Sequence, residues 1–384
     1  MRLLTLSAGL FAALTLAGCV SAPMPVRPPS GPTPSSQPPA EAPPAAVPIT
    51  PASNLPGLPG WATEDHVAAL EAFRAGCGVS KDAAMLALCG RARALRGFDD
   101  GEARAFLENN FRAEPVGGEG LLTAYFAPQY EARTRRTSEF SAPVRPKPDD
   151  MVSVVLSASD PATPDQTLIG RDRDGKVEPY PDRAGIEAGS AAGALAWMRP
   201  EDLFFLQIQG SGVLTFDDGR RLRATFAAHN GKPYVGIAIP MRDRGLLPDN
   251  NTSGDNIRRW LADHRGREAD AIMALNPRYV FFNLGPDDGR EPQGAAGVSL
   301  PPGRAIAVDL SQHNLGGLYW IDAEAPRLAG AFPTYRRAAM ALDTGGAIKG
   351  AVRADLYMGT GDAAGTEAGR VRHTLRLYRL VPLS

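Results

Sequence analysis

The densest group of residues able to do chemistry lies near the C-terminus, where aspartates and glycines follow short apolar runs. Residues 341–350 read ALDTGGAIKG and residues 354–362 read ADLYMGTGD. Three aspartates, Asp309, Asp343 and Asp355, each lie at or near the edge of a strand-like run. Carboxylates brought together repel one another unless one is protonated, which is how an enzyme raises the pKa of an acid toward neutral pH. The pattern therefore favours an acid–base site.

Three other interpretations apply to this stretch. Asp343-Thr344-Gly345 fits a hairpin corner, because Asp and Gly are common turn residues. It also matches the Asp-Thr-Gly of aspartic proteases, but those need a second such triplet and the chain has none. A phosphate loop does not fit, because Lys349 precedes Gly350 instead of following the last glycine of the pattern.

The composition is that of an ordinary globular protein. Of 384 residues, 43% are hydrophobic and 22% charged, with 41 Lys and Arg against 42 Asp and Glu. These proportions exclude wholesale disorder, a coiled coil and a protein with many membrane spans. The near-neutral charge, with both signs interspersed, gives no electrostatic reason to expect nucleic acid as a partner.

The apolar pattern predicts which elements must position the aspartates. Helical spacing covers residues 63–73, 83–96 and 253–275. Short strand-like runs, most of them bounded by turn residues, dominate after residue 115. These runs are residues 121–126, 152–156, 203–209, 221–226, 234–239, 279–282, 305–310, 318–321, 338–342 and 374–380. Many short strands with few long helices favour a mainly β fold of barrels or sandwiches.

Two cysteines lie across the turn between the first two predicted helices. Cys77 and Cys89 are twelve residues apart, and in an exported protein they would form a disulfide that staples a helical hairpin. A metal site held by two cysteines is the alternative. It lacks partners, because the nearest histidine, His66, is eleven residues away and the five histidines form no ligand-spaced cluster. We favour the disulfide and predict no metal ion.

The N-terminus has the features of an export signal. Arg2 precedes an apolar run, residues 3–17, that is too short to span a bilayer comfortably. The run leads into Leu-Ala-Gly-Cys, which resembles a bacterial lipobox, with residues 1–18 as the signal peptide and Cys19 as the lipidated first residue of the mature protein. A plain signal peptide with an incidental cysteine is the alternative. Acyl chains on Cys19 would tether the protein to a membrane surface without a spanning helix.

Proline is concentrated directly after this cysteine. Fourteen of the 35 prolines fall in the 37 residues from Pro23 to Pro59. Pro-rich chains stay extended and solvated, so residues 19–60 are predicted to be the lipidated cysteine and a semi-rigid linker. A ligand for a proline-binding domain is the alternative. The folded body is predicted to begin near Trp61.

Several motifs together resemble one bacterial cell-wall family. The motifs are residues 123–128, 204–212, 230–234, 243–245, 343–350, 355–357 and 359–361. In this order, over about residues 61–382, they resemble the membrane-bound lytic transglycosylase A (MltA) family, whose C-terminal part is a three-aspartate (3D) domain. Two positions depart from the family pattern, and neither departure removes a candidate catalytic group. Residues 309–316 lack the proline that family members usually carry before Leu-Gly, and Ala124 stands where glycine is common.

The resemblance implies an enzyme of peptidoglycan turnover. The family cleaves the β-1,4 bond between N-acetylmuramic acid and N-acetylglucosamine without water and leaves a 1,6-anhydro-muramyl end. Its acid–base residue corresponds to Asp355, which would protonate the glycosidic oxygen and then accept the proton of the attacking C6 hydroxyl. One carboxyl suffices, because the nucleophile belongs to the substrate. Since Asp355 must start protonated, we expect a raised pKa, caused by desolvation or by Asp343 as the neighbouring carboxylate.

The resemblance also implies roles for residues around this acid. Asp309 and Asp343 are expected to orient Asp355, to hold backbone amides, or both, and turn capping by an aspartate side chain is the alternative. Thr123 and Tyr125 are expected to contact sugar from the opposite wall. Tyr125 as a core residue of an alternating strand is the other interpretation.

A second group of predicted substrate-binding residues comes from turns. They are Gln209, Ser211, Gly212, Gly345, Gly346 and Lys349. The first three are placed for hydrogen bonds, and the glycine pair would let a ligand approach the backbone closely. The lysine would neutralise the lactyl or peptide carboxylates of muramic acid, or it is simply exposed.

By the same resemblance, the fold is two β domains with a substrate groove between them. A double-psi β-barrel would be built from residues 61–127 and 277–384, and a second, smaller β-barrel from the inserted residues 128–276. No cofactor is implied. The expected partners are peptidoglycan strands, a membrane through the lipid anchor, and other cell-wall enzymes. Because no Asp follows Cys19, the expected location is the periplasmic face of the outer membrane.

Two other functions remain open. A hydrolytic glycosidase would use two carboxylates, for example Asp355 with Asp343. A non-catalytic cell-wall-binding lipoprotein would keep the barrel without turnover. Hydrolysis leaves a reducing end and transglycosylation an anhydro end, so the products separate the two enzyme mechanisms.

Overall fold

The computed structural model describes residues 53–156, 166–326 and 332–383. The predicted signal peptide, the lipobox cysteine Cys19 and most of the Pro-rich linker lie outside these residues. The last residues assigned to the linker are part of the folded body, because Ser53 and Asn54 pair with a strand and Leu55 is fully buried in the core, so the folded body begins before Trp61. Within the described ranges, no helix combines the length and the apolar character needed to cross a membrane.

Helices and strands alternate irregularly along the chain. The α-helices of the described residues are α1 (His66–Gly76), α2 (Ala83–Ala94), α3 (Asp100–Asn110), α4 (Arg183–Glu187), α5 (Pro200–Gln209), α6 (Ala238–Asp243), α7 (Gly254–Asp263), α8 (Arg267–Met273) and α9 (Asp362–Ala368). The strands are β1 (Ser53–Asn54), β2 (Phe111–Pro115), β3 (Gly120–Ala127), β4 (Gln129–Ala132), β5 (Ala142–Val144), β6 (Met151–Leu156), β7 (Gln166–Arg173), β8 (Lys176–Pro179), β9 (Ala196–Met198), β10 (Gly212–Phe216), β11 (Arg221–His229), β12 (Val280–Pro286), β13 (Ala305–Ala307), β14 (Leu318–Pro326), β15 (Tyr335–Asp343), β16 (Arg353–Thr360) and β17 (Arg372–Pro382).

The largest sheet joins the two ends of the described chain. Its eight strands run in the order β1-β2-β17-β14-β15-β13-β16-β3, and β3 also pairs with β17. The extra pairing closes the six strands from β17 to β3 into a ring, and apolar side chains such as Leu122, Ile306 and Leu356 fill a fully buried cluster there. Burying this cluster supplies much of the driving force for the sheet to form.

The first three helices pack against this sheet. Phe73 of α1 and Leu107 of α3 share a buried cluster with Met340 of β15. Cys77 and Cys89 form a disulfide with their Cα atoms 5.5 Å apart, which links the end of α1 to α2. A covalent link across a short loop stabilises the fold mainly by restricting the unfolded chain.

The segment between β3 and β13 forms smaller sheets. β12, β11, β10 and β4 make one of four strands, β6, β7 and β8 one of three, and β5 pairs with β9. β12 pairs along its length with β11, so residues 280–286 share a sheet with the inserted segment. The mainly β class predicted from the sequence is confirmed by these sheets and by the ring.

Two of the predicted strands are wrong. Residues 203–209 belong to α5, and residues 234–239 contain no strand and run into α6. In α5, Pro200 occupies the first turn and Gly210 ends the helix with φ 85°. Pro200 and Gly210 are helix start and stop signals. The continuous apolar run between them resembles a strand, but it fits a helix that is buried on most of its sides.

One helical prediction needs correction, and α3 has no counterpart among the predicted helices. The predicted helix over residues 253–275 is two helices, α7 and α8, because Gly266 between them has φ 104°. α3 was not predicted, although the side chains of Asp99 and Glu102 form a reciprocal capping box at its start. That Asp-x-x-Glu spacing is the sequence signal that identifies this helix.

Candidate active site

Two parallel strands position the candidate acid. In the pairing of β16 with β3, Asp355 lies directly opposite Thr123. Because side chains two residues apart share a face of a strand, Arg353 lies on the same face as Asp355. The alternate residues, Ala354 and Leu356, are fully buried in the core of the ring. The ring core therefore fixes the orientation of the polar face.

A short chain of hydrogen bonds ends on Asp355. The Thr123 hydroxyl donates to Asp355 Oδ1, and Arg353 Nη2 donates to Thr123 Oγ1 at 2.8 Å. A threonine hydroxyl has a single hydrogen, so accepting from Arg353 leaves that hydrogen for Asp355. Oδ1 is thereby an acceptor, and a proton on the carboxyl group belongs on Oδ2.

Asp343 lies at the same level of the sheet as this acid, on the strand beyond β13. Ala307 of β13 pairs with Asp343 on one side and with Asp355 on the other. Asp343 Oδ2 accepts a hydrogen bond from the Tyr125 hydroxyl at 2.6 Å, and Oδ1 accepts two backbone N–H groups at 2.9 Å each. Both oxygens of Asp343 are therefore occupied by protein donors.

The environment raises the pKa of both carboxyl groups. Burial is the main cause of the raised pKa of Asp355, and the charge of Asp343 adds to it, while Arg353 and the Thr123 hydrogen bond act in the opposite direction. Burial also raises the pKa of Asp343 against its three hydrogen bonds. The direction for Asp355 is the one predicted from the sequence, and it favours the protonated acid.

An open cleft of about 210 Å³ exposes this acid. The predicted site residues that line it are Thr123, Tyr125, Gln209, Gly345, Gly346 and Asp355. Tyr125 both lines the cleft and holds Asp343, and its ring lies 5.2 Å from that of Tyr357. Gln209, the last residue of α5, accepts the backbone N–H of Phe126 through Oε1 at 3.2 Å. The glutamine thus joins α5 to β3 at the wall of the cleft.

Asp309 is not among the described residues that line the cleft. It accepts the backbone N–H of Gly350 at 2.8 Å and both the N–H and the hydroxyl of Ser311, at 3.1 and 2.9 Å. Although burial alone would raise its pKa, these hydrogen bonds hold the pKa of Asp309 below its ordinary value. The described contacts are therefore those of an ionised aspartate that ties the loop before β16 to the turn after β13.

The remaining predicted residues also lie outside the cleft. Lys349 is 71% exposed, its Nζ lies 3.8 Å from Asp309, and it lines a separate open depression beside Glu119. Ser211 is not among the cleft-lining residues of the described chain. Gly212 is buried, where a Cβ atom would lie 2.7 Å from the carbonyl oxygen of Pro128. Its glycine therefore serves the close approach of two backbones.

Several residues that line the cleft were not predicted as site residues, and the charged and aromatic side chains among them include those of Arg353, Tyr234 and Arg278. Arg353 precedes Asp355 by two positions on a strand, so strand alternation is the signal that identifies it. Tyr234 lies within one of the quoted motifs, and the charge of Asp355 contributes to its raised pKa after the larger effect of burial. Arg278 has no local signal, because only the tertiary fold brings it to the cleft.

The fold and the cleft define a class of protein: a β-rich polypeptide with a half-buried carboxyl group, Asp355, at an open cleft, and a second carboxyl group, Asp343, that does not line the cleft among the described residues. Two family models match the chain, the MltA specific insert domain over residues 121–283 and the 3D domain over residues 304–381. The chain belongs to the membrane-bound lytic murein transglycosylase A (MltA) family, as the motifs predicted.

Named relatives and solved structures support this assignment. Membrane-bound lytic murein transglycosylase A of Vibrio cholerae is 31% identical over 273 residues, which is 68% of this chain and 66%, about two thirds, of that protein. The structure of a membrane-bound lytic murein transglycosylase from Agrobacterium tumefaciens is 30% identical, with a TM-score of 0.71 over 86% of this chain and 97% of that one. The structure of E. coli MltA with bound chitohexaose is 27% identical, with a TM-score of 0.62 over 88% and 94% of the two chains.

Proposed function

We propose that this protein is a peptidoglycan lytic transglycosylase. It cleaves the β-1,4 bond between N-acetylmuramic acid and N-acetylglucosamine and forms a 1,6-anhydro-muramyl product. Membership of the MltA family supports this reaction, and the E. coli relative binds chitohexaose, a β-1,4 glycan. The observation that carries the proposal is Asp355, a carboxyl group with a raised pKa at an open cleft, with Oδ1 held by Thr123.

The arrangement supports a reaction in which one carboxyl group acts twice. Asp355 Oδ2 gives its proton to the glycosidic oxygen as the bond from C1 to that oxygen breaks. The C6 hydroxyl oxygen of the muramyl sugar then bonds to C1, and its proton passes to Oδ2. The acid is restored without water, and the product retains the intramolecular C1–O6 bond.

Asp343 acts as a supporting carboxylate in this proposal. A nucleophile or a base that activates water needs a free oxygen directed at the sugar. Asp343 has none to offer without losing a hydrogen bond, because Tyr125 and two backbone amides hold both of its oxygens. This favours transglycosylation over a two-carboxylate hydrolysis. Asp343 instead raises the pKa of Asp355 and fixes Tyr125 at the cleft wall.

Digestion of isolated sacculi tests the reaction. We expect the mass spectrum of the soluble products to show anhydro-muramyl ends. Asp355→Asn should abolish their release and retain sacculus binding, whereas Asp263→Asn, at an exposed position on α7, should leave release unchanged. Reducing muramyl ends would establish the hydrolytic mechanism instead. Binding without any released product from the unmodified protein would establish a binding protein.

We also propose that Cys19 carries the membrane anchor and that residues 20–52, which precede β1, hold the enzyme away from the membrane. The lipobox-like sequence and the relatives named membrane-bound support a lipid-anchored protein on the periplasmic face of the outer membrane. Cells fed a fatty acid label should incorporate it into the unmodified protein and not into Cys19→Ala. If the unmodified protein carries no fatty acid label and fractionates with the soluble periplasm, the N-terminus is a plain signal peptide.

The proposed division into two domains places the cleft at their boundary. The ring strands and residues of the inserted segment, among them Gln209 and Tyr234, both contribute to the cleft wall. Since β12 pairs with β11, we place the return from the inserted domain after Pro286. Limited proteolysis should cut between β12 and β13 before it cuts within the ring, and early cleavage inside β11 or β12 would oppose this boundary.

A further inference from the structure

Arg278 places a cation without a counter-ion at the cleft. It lies two residues before β12, half-buried, and its Nη1 donates to the carbonyl oxygen of Lys232 at 3.2 Å. No ion pair joins it to a carboxylate among the described residues. Burial lowers the pKa of Arg278, and no neighbouring carboxylate offsets this effect. Its positive charge also reaches His229, whose pKa is lowered to about 4 by burial first and by Arg278 second.

Some of the other buried or half-buried arginines have carboxylate partners. Arg183 pairs with Glu187 at 3.0 Å, and Arg223 pairs with Asp287 at 2.7 Å. A guanidinium removed from water without a partner lowers the stability of the folded protein. Arg353, in the same cleft, also forms no ion pair among the described residues, but it donates to Thr123 and is directed at the Thr123–Asp355 hydrogen bond. The described hydrogen-bond partner of the Arg278 side chain is a backbone carbonyl, so a bound anion would supply the counter-charge that Arg278 lacks.

The loop before β16 keeps this guanidinium open to the cleft. A Cβ atom at position 346 would lie 3.2 Å from the guanidinium carbon of Arg278, so Gly346 leaves the space that a side chain would fill. Gly346, Arg278 and Asp355 line the same cleft. A sugar polymer bound beside Asp355 therefore occupies the cleft that the guanidinium also lines.

We propose that Arg278 binds a carboxylate of the muramyl unit and gives this site its preference for peptidoglycan over glycans made only of N-acetylglucosamine. The inference rests on the proposed function. N-Acetylglucosamine has no carboxylate, whereas muramic acid has a lactyl carboxyl group that is either free or bonded to a peptide with its own carboxylates. A guanidinium pairs with a carboxylate through two parallel hydrogen bonds. Arg278 takes the role that the sequence suggested for the exposed Lys349.

Equilibrium binding in the Asp355→Asn background tests this role without cleavage. The ligands are soluble glycan strands freed of peptide by an amidase, which bear free lactyl carboxylates, and chitohexaose, which bears none. Adding Arg278→Gln should weaken binding of the muramyl strands by roughly 10- to 100-fold, the range expected for a hydrogen-bonded charge pair, and leave chitohexaose binding unchanged. Arg278→Lys should lose less. Arg259→Gln, at an exposed position on α7, should alter neither affinity.

The pattern across ligands decides the outcome. Intact chitohexaose binding shows that the Arg278→Gln cleft is folded, so loss restricted to muramyl strands supports the proposal. Equal loss on muramyl strands and chitohexaose would overturn it, and so would unchanged binding of muramyl strands both with and without their peptides. Amidating the lactyl carboxylates should remove the effect if they are the ligand, whereas an effect seen only on peptide-bearing strands identifies the stem carboxylates. Cleavage by the otherwise unmodified protein is scored separately, so failure of the enzyme assignment is distinguishable from failure at Arg278.

Discussion

Thr123 and Asp355 are 232 residues apart in the chain and directly opposite one another in the parallel pairing of β3 with β16. The hydrogen bond between them therefore exists only when a strand from the N-terminal part of the folded body has paired with one from the C-terminal part. The site is a product of ring closure and not of a local motif. Its orientation should accordingly depend on residues that hold the register.

Thr123→Val removes the hydroxyl that holds Asp355 while keeping a similar shape. We expect kcat/KM on glycan strands to fall roughly 10-fold or more, as for a lost hydrogen bond to a buried group. Because the Thr123 hydrogen bond lowers the pKa of Asp355, its loss should also raise that pKa further. Thr123→Ser should retain most of the activity. Equal activity of the Val and Ser variants would exclude an orienting role for the hydroxyl.

Substitutions of two charged neighbours should shift the pH profile in opposite directions. The charge of Asp343 raises the pKa of Asp355, and that of Arg353 lowers it. Since the acid must be protonated, activity falls as pH rises through its pKa. Asp343→Asn should move this limb of the kcat/KM profile to lower pH, and Arg353→Gln should move it to higher pH. Shifts in the same direction would indicate that the limb reports another group.

Three residues of the cleft could be predicted from the sequence, because each lies in a short strand-like run with a recognisable motif. Asp355, Thr123 and Tyr125 alternate with apolar residues on strands, and period-two alternation fixes which side chains share a face. Asp309 was grouped with the acid for the same reason, because it follows a strand of the ring. Its side chain accepts hydrogen bonds from Ser311 and from Gly350. Gly350 is 41 residues away in the chain, so the sequence spacing does not predict that contact.

Other features depend on contacts that no local pattern encodes. α5 was predicted as a strand because burial on most of its sides removes the polar face that marks a helix. Arg278 reaches the cleft only through the packing of the inserted segment beside the loop at Gly346. Arg278 draws attention because no carboxylate among the described residues pairs with it, and only the three-dimensional structure shows this.

Gly120→Ala should disrupt the pairing that joins the two halves of the site. A Cβ atom at Gly120 would overlap the carbonyl oxygen of Val352, which accepts the backbone N–H of Leu121. Strand β3 must then shift against β16, so we expect a lower free energy of unfolding and a large loss of cleavage. Gly90→Ala is the matched control, since a Cβ there meets nothing within 4 Å and the residue lies in α2. It should stabilise the protein by about 0.5–1 kcal/mol, and similar behaviour of the two variants would refute the steric argument.

Asp355→Asn should make the protein more stable at neutral pH, and the gain should depend on pH. The pKa of Asp355 is raised in the folded state, chiefly by burial, above the ordinary value that it has in the unfolded chain. Stability from this group is therefore fully present below the ordinary value and is lost as pH rises through the folded pKa. Asparagine stays neutral and still accepts the Thr123 hydrogen bond through Oδ1, so it avoids that loss. Urea unfolding should give a higher free energy of unfolding for Asp355→Asn at pH 7, with the difference closing as pH falls toward about 4, the ordinary range of an aspartate. A difference that stays constant with pH would show that packing, and not the buried charge, separates the two proteins.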